Sequence, residues 1–211
     1  MNIIFLGDSI TDAGKNVDAG FPVPMGQGYA TMVAGRLGAD APGKYTFINN
    51  GISGFRCTDI YSQIKPYCWN CAPDLVSLYV GVNDAMHEFE SGNGVEADRF
   101  YRIVKTMLLE TKERFPNVRF ILLGAFILPG AFVDRCGSAV IDEVAARAEK
   151  MRQIAAELSA PFIPVQALMD RACELQPAAY WSVDGIHPTP AGHQLIADAW
   201  LEAFSRQIEQ N

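Results

Sequence analysis

Five short apolar runs, bounded by Gly, Pro, Asn or Asp and separated by longer helical patterns, constrain this chain more than any other feature. They occupy residues 2–6, 45–48, 75–80, 118–123 and 161–165, the last interrupted by Pro164. Each is near strand length, and the first and fourth lack polar alternation, as strands covered on both faces do. Helical patterns over 97–115 and 141–158 are rich in Ala, Glu, Lys, Arg and Leu. Weaker ones fall at 27–37 and 58–64. A last helix has a legible start, with Thr189 as N-cap and Pro190 at the first helical position, where a missing N–H costs little. Its apolar stripe is Leu195, Ile196, Ala199, Trp200, Ala203 and Phe204. Strands alternating with crossover helices predict a three-layer α/β/α sandwich around a roughly five-stranded parallel sheet.

Length and composition fit that expectation. With 211 residues, 49% apolar and 19% charged, the chain can bury one substantial core. We expect a single domain over residues 1–211, since no repeat, low-complexity tract or long linker divides it. A net charge of −7 with no Lys/Arg cluster argues against nucleic acid as a partner. The start Met1-Asn2-Ile3-Ile4 has neither the basic segment nor the long apolar core of a signal peptide, and no amphipathic anchor appears. The chain therefore reads as cytoplasmic and without a membrane partner; its oligomeric state is left open. Cys57, Cys68, Cys71, Cys136 and Cys173 form an odd set without framework spacing, which suits free thiols. Cys68 and Cys71 spell C-W-N-C, and a lone pair of this kind is weak evidence for zinc or redox chemistry.

In open parallel sheets, ligands bind beyond the carboxyl ends of the strands. Gly7-Asp8-Ser9-Ile10-Thr11 follows the first run, Asn50-Gly51-Ile52-Ser53-Gly54 the second and Gly81-Val82-Asn83-Asp84 the third. Asp184-Gly185-Ile186-His187-Pro188 lies beyond the fifth. These loops hold what acyl transfer needs. A serine hydroxyl is a poor nucleophile until a base takes its proton, and an imidazole suits that task near neutrality. Ser9 and His187 fit those roles. The imidazole needs its other nitrogen anchored, and Asp184 can reach back to it. The negative charge of the tetrahedral intermediate needs fixed donors. Candidates are a backbone N–H at Gly54, the Asn83 amide and the Ser9 N–H.

In this set of blocks the chain resembles the SGNH, or GDSL-type, hydrolases. Gly7-Asp8-Ser9, Gly54, Gly81-Val82-Asn83-Asp84 and Asp184-Gly185-Ile186-His187-Pro188 stand in the family's order and span almost the whole chain. The resemblance implies a flavodoxin-like fold, ester hydrolysis without metal or organic cofactor, and the oxyanion donors just named. Gly54 rather than Gly51 follows the family's habit of placing this Gly after Ile-Ser, so the choice between them rests on resemblance alone.

Competing readings are weaker. Ser9 as a mere helix cap does not account for His187 and Asn83. An aspartyl-phosphate phosphatase would want a second acid where Ile10 stands, and an α/β-hydrolase elbow would need Gly where Thr11 stands. Asp8 and Asp84 read as structural acceptors, and His193 as a satisfied residue of the last helix. Candidate substrate-pocket residues are Phe55, Arg56, Met86, His87, Phe126, Phe132 and Trp181, from segments flanking the motifs. Lacking a long apolar lid, the chain is expected to act on a small-molecule ester, foremost as an acetylesterase on acetylated sugars or similar short esters. A short-chain arylesterase, lysophospholipase or thioesterase is the alternative. A binding module that kept the fold and lost the reaction is the alternative of another class.

Overall fold

The computed structural model describes residues 1–16, 18 and 23–207. A five-stranded sheet forms its centre, built from β1 (Asn2–Gly7), β2 (Thr46–Gly51), β3 (Leu75–Tyr79), β4 (Arg119–Leu123) and β5 (Phe162–Ile163). The strand order is β2-β1-β3-β4-β5 and every pair is parallel. In this doubly wound order the sense in which strands are added reverses between β1 and β3, and the crevice at such a switch is where ligands bind.

Alternation along each strand divides the core in two. Ile3 and Phe5 of β1, Leu75 and Tyr79 of β3, and Ile121 and Leu123 of β4 join one apolar cluster. Ile4 and Leu6, Val76 and Leu78, and Phe120 and Leu122 join the other. The first is closed mainly by α2 (Tyr29–Asp40), α9 (Val165–Cys173) and α11 (Pro190–Gln207), the second by α3 (Cys57–Ser62), α6 (Ala97–Arg114) and α8 (Ala139–Glu157). The predicted stripe of the last helix packs as expected: Ile196, Trp200 and Phe204 are fully buried, and Leu195, Ala199 and Ala203 flank them. Trp200 also satisfies its indole N–H on Ser77 Oγ at 2.9 Å, so the polar residue in β3 has a partner.

The remaining helices are α1 (Ser9–Asp12), α4 (Ile64–Tyr67), α5 (Val82–Ser91), α7 (Ala131–Cys136) and α10 (Ala178–Trp181). The helix expected over 58–64 is therefore two short ones, broken at Gln63. All five cysteines are free. No helix among the described residues is long and apolar enough to cross a membrane.

Candidate active site

Ser9 is the first residue of α1, immediately after β1. Asp8 caps this short helix: its Oδ1 accepts the Ile10 N–H at 2.9 Å, which fixes the turn that carries Ser9. At the other end of the chain, residues 182–188 form a tight loop. Ser182 Oγ donates to the His187 carbonyl at 3.0 Å and accepts the Gly185 N–H at 3.0 Å. Within that loop Asp184 Oδ1 accepts the N–H groups of Ile186 and His187 at 3.1 and 2.9 Å, and Oδ2 lies 2.6 Å from His187 Nδ1. A carboxylate only accepts, so Nδ1 carries the proton and Nε2 presents a lone pair. Ser9 Oγ lies 2.8 Å from that Nε2. Burial pushes the Asp184 carboxyl upward, but the His187 ring and the two backbone N–H groups outweigh it and hold Asp184 below its ordinary range. The anion that anchors the imidazole thus stays charged.

The loop after β2 carries the Gly pair. Gly51 N–H donates to Asn49 Oδ1 at 2.9 Å, and a Cβ at position 51 would meet Asp12 N at 2.4 Å. Its N–H is therefore committed. Gly54 sits at the exposed apex with φ +82°, a conformation an L side chain rarely adopts, and its N–H has no acceptor among the described residues. The loop is pinned on both sides of that apex. Ser53 donates from N and Oγ to Asp12 Oδ2 at 3.2 and 3.1 Å. From the first turn of α5, Asn83 Nδ2 donates to the Phe55 carbonyl at 3.1 Å and Asp84 Oδ1 accepts the Cys57 N–H at 3.0 Å. An amide has two N–H donors, so Asn83 keeps one free. The Ser9 N–H, in the first turn of a helix, has no acceptor among the described residues either.

The pocket candidates divide. The Phe132 ring lies 6.1 Å from the His187 ring, centroid to centroid. Arg135 stacks over Phe132 at 4.3 Å and pairs with Glu90, tying α7 to α5. Phe55 is half-buried and contributes its carbonyl to Asn83, while Arg56 is spent on Asp59 and the Asn93 carbonyl. His87 is half-exposed on α5. Met86 and Phe126, at 2% and 0% exposure, belong to the core and have no surface to offer a substrate, which corrects the sequence expectation. Trp181 is also displaced from it. Its indole N–H donates to the Gln176 carbonyl at 3.1 Å, and it lines a separate cleft with Leu168 and Leu195, between α9 and α11. The cleft that contains Ser9 and His187, about 390 Å³, is bordered instead by Gly14, Gln27, Ser53, Pro188 and His193. Sequence reasoning missed this role for Gln27, Ser53 and His193. For His193 the available signal was its place in the first turn of the helix that begins two residues after His187-Pro188.

Two buried acids flank the site. Asp8, 1% exposed, is pushed up to about 7 by burial, against the Ile10 hydrogen bond and with the help of nearby Asp84. Asp84 is pushed up to about 6 by burial, opposed by its bonds to Cys57 and by Arg147.

Comparison with known proteins places nearly the whole chain in a family. Residues 5–195 match the model of the GDSL-like Lipase/Acylhydrolase family. An acetylxylan esterase from Geobacillus stearothermophilus is 30% identical over 208 residues, 94% of this chain and 91% of that protein. A solved structure of an acetylxylan esterase from the same organism superposes with a TM-score of 0.85 at 27% identity, covering 98% of this chain and 94% of the other. A structure from Parabacteroides merdae described as a GDSL-like lipase gives 0.89 at 31% identity, covering 97% and 95%.

Proposed function

The chain belongs to the GDSL-like lipase/acylhydrolase family and is a carboxylic ester hydrolase, and from that premise we propose that it is a serine acetylesterase in which Ser9, His187 and Asp184 form the catalytic triad. Its enzymatic class sets aside the reading of a binding module without a reaction. The observation that carries the triad assignment is the unbroken line Ser9 Oγ, His187 Nε2, His187 Nδ1, Asp184 Oδ2, with contacts of 2.8 and 2.6 Å.

The steps follow from those positions. Ser9 Oγ attacks the ester carbonyl carbon as His187 Nε2 takes its proton, and Asp184 stabilises the imidazolium. The carbonyl oxygen becomes an oxyanion received by the Gly54 N–H, the free Asn83 N–H and the Ser9 N–H. Collapse expels the alcohol, which His187 protonates, and leaves an acyl-enzyme. Water, deprotonated by His187, then attacks the acyl carbon and releases the acid and Ser9.

Acetylated carbohydrates are the substrate class we favour. Two points support them: a cleft of about 390 Å³ in which hydroxyl, amide and imidazole groups stand among Ala13, Pro188 and Pro190, and the likeness to acetylxylan esterases. The test is hydrolysis of p-nitrophenyl esters from two to sixteen carbons alongside peracetylated xylose, with Ser9→Ala as control. We expect the two-carbon ester and acetylated xylose to be turned over, and Ser9→Ala to lose about four orders of magnitude in kcat or more. A wild type no faster than Ser9→Ala overturns the nucleophile. A preference for the long esters overturns the acetylesterase.

A further inference from the structure

The cleft beside Ser9 contains a second histidine to which the reaction above gives no task. His193 is in the first turn of α11 and is 8% exposed. Its Nδ1 accepts the Tyr29 N–H at 3.2 Å, one of the donors left over at the start of α2. Gly28 makes room for this: a Cβ there would meet His193 Cε1 at 2.8 Å and Nδ1 at 3.0 Å. The ring also stacks on Tyr29, 6.5 Å between centroids and 18° from parallel.

These contacts decide the proton's place. Burial, aided by the neighbouring His187, lowers His193 to about 4, so the ring is neutral wherever an imidazole base can work. A neutral ring whose Nδ1 accepts must carry its hydrogen on Nε2. That Nε2 makes no hydrogen bond to any described residue, and His193, 8% exposed, lines the cleft beside Ser9. The solvent it can reach is in the cleft that His193 borders together with Ser9, His187 and the exposed amide of Gln27.

The side of the active site is fixed by chemistry. His187 must return its proton to the departing oxygen, so the alcohol half of the ester lies against His187. The cleft contains His187, Pro188 and His193 but neither Gly54 nor Asn83, which receive the carbonyl oxygen. We propose that this cleft is an alcohol-side subsite in which the His193 Nε2–H, with the Gln27 amide beside it, binds a hydroxyl oxygen vicinal to the ester. The proposal rests on the assignment of Ser9 and His187 made above. It gives the enzyme a reason to prefer monoesters of diols and sugars over those of simple alcohols: a donor of fixed direction is left unpaired when the hydroxyl is missing.

The experiment compares kcat/KM for 2-hydroxyethyl acetate and propyl acetate, which differ by a hydroxyl against a methyl, each divided by its rate with hydroxide in solution. The wild-type ratio is expected to favour the hydroxyl ester about three- to tenfold, the range of one neutral hydrogen bond. His193→Asn keeps an acceptor near the Tyr29 N–H and removes the group at Nε2, so its ratio should fall towards one. A wild-type ratio at or below one overturns the subsite. So does a His193→Asn enzyme that keeps the wild-type ratio, even if both rates fall. Acetylated xylose is the separate arm: discrimination between the two small esters without turnover of the sugar ester upholds the subsite and defeats the carbohydrate reading.

Discussion

Asn83 and Asp84 are adjacent, and each makes one bond to the loop that carries Gly54. The two donors proposed for the oxyanion are thereby held in one frame before substrate arrives, which lowers the barrier without reorganisation at the moment of reaction. Asn83→Ala should lower kcat by about a hundredfold or more with little change in KM; steady-state kinetics on p-nitrophenyl acetate reads this, and an effect confined to KM would remove Asn83 from that role. The buried acid next to Ser9 makes a different prediction. Burial raises the pKa of Asp8 in the folded state to about 7, above the ordinary 3.8 of an aspartate. The folded state therefore holds this proton more tightly than the unfolded state, so its contribution is complete below about pH 4 and is lost as pH rises towards 7. Asp8→Asn imitates the protonated form and can still accept the Ile10 N–H. It should gain stability over wild type at pH 8, on the order of a few kcal/mol at most, and little at pH 4. Thermal denaturation at both pH values decides it, and an equal shift at the two would show that ionisation is not the cause.

Elements were legible where their chemistry is unmixed. The runs at 2–6, 75–80 and 118–123 became β1, β3 and β4 within a residue or two because Ile, Leu, Phe and Val face both cores. The second run extended beyond its expected end. Asn49 and Asn50 look like turn residues, yet both lie in β2, at the sheet edge, where the Asn49 amide donates to the Thr11 and Met25 carbonyls at 2.7 and 2.8 Å and that of Asn50 to the Tyr67 carbonyl at 2.6 Å. A tertiary partner, invisible in a window of sequence, converts a loop signal into a strand. The Asn83 block misled the other way, because its Asn and Asp occupy the first turn of α5, where polar side chains are at home. Pocket side chains were the least legible: Met86 and Phe126 neighbour the motifs in sequence but face inward, and a helical period cannot say which face meets a ligand. The N-cap of α11 was read correctly. Thr189 Oγ1 accepts the Gly192 N–H at 3.3 Å and donates to the Tyr180 carbonyl at 2.8 Å. Thr189→Ala should cost about 1 kcal/mol, roughly 2–4 °C in Tm, and an unchanged Tm would refute the cap.

At the scale of the molecule, stability comes from two apolar layers against one parallel sheet, with no covalent cross-links. The Tm should therefore be the same with and without 5 mM dithiothreitol, a concentration of about the order used to keep thiols reduced; a fall of several degrees under reduction would reveal a disulfide the fold does not use. The overall architecture and the order of its motifs were readable in the sequence because a parallel sheet forces catalytic loops onto one edge. The direction of each side chain within that edge was not.

The bond between Ser9 and His187 joins residues 178 positions apart. Synthesis that has passed Asn83 but not reached residue 184 has delivered the proposed nucleophile and the proposed oxyanion donors, and none of the proposed base. On the proposed triad, a chain cut at that point carries no working hydrolase. On that assignment turnover waits for the segment around His187, so that catalysis reports the meeting of two distant parts of the sequence rather than the presence of the first of them.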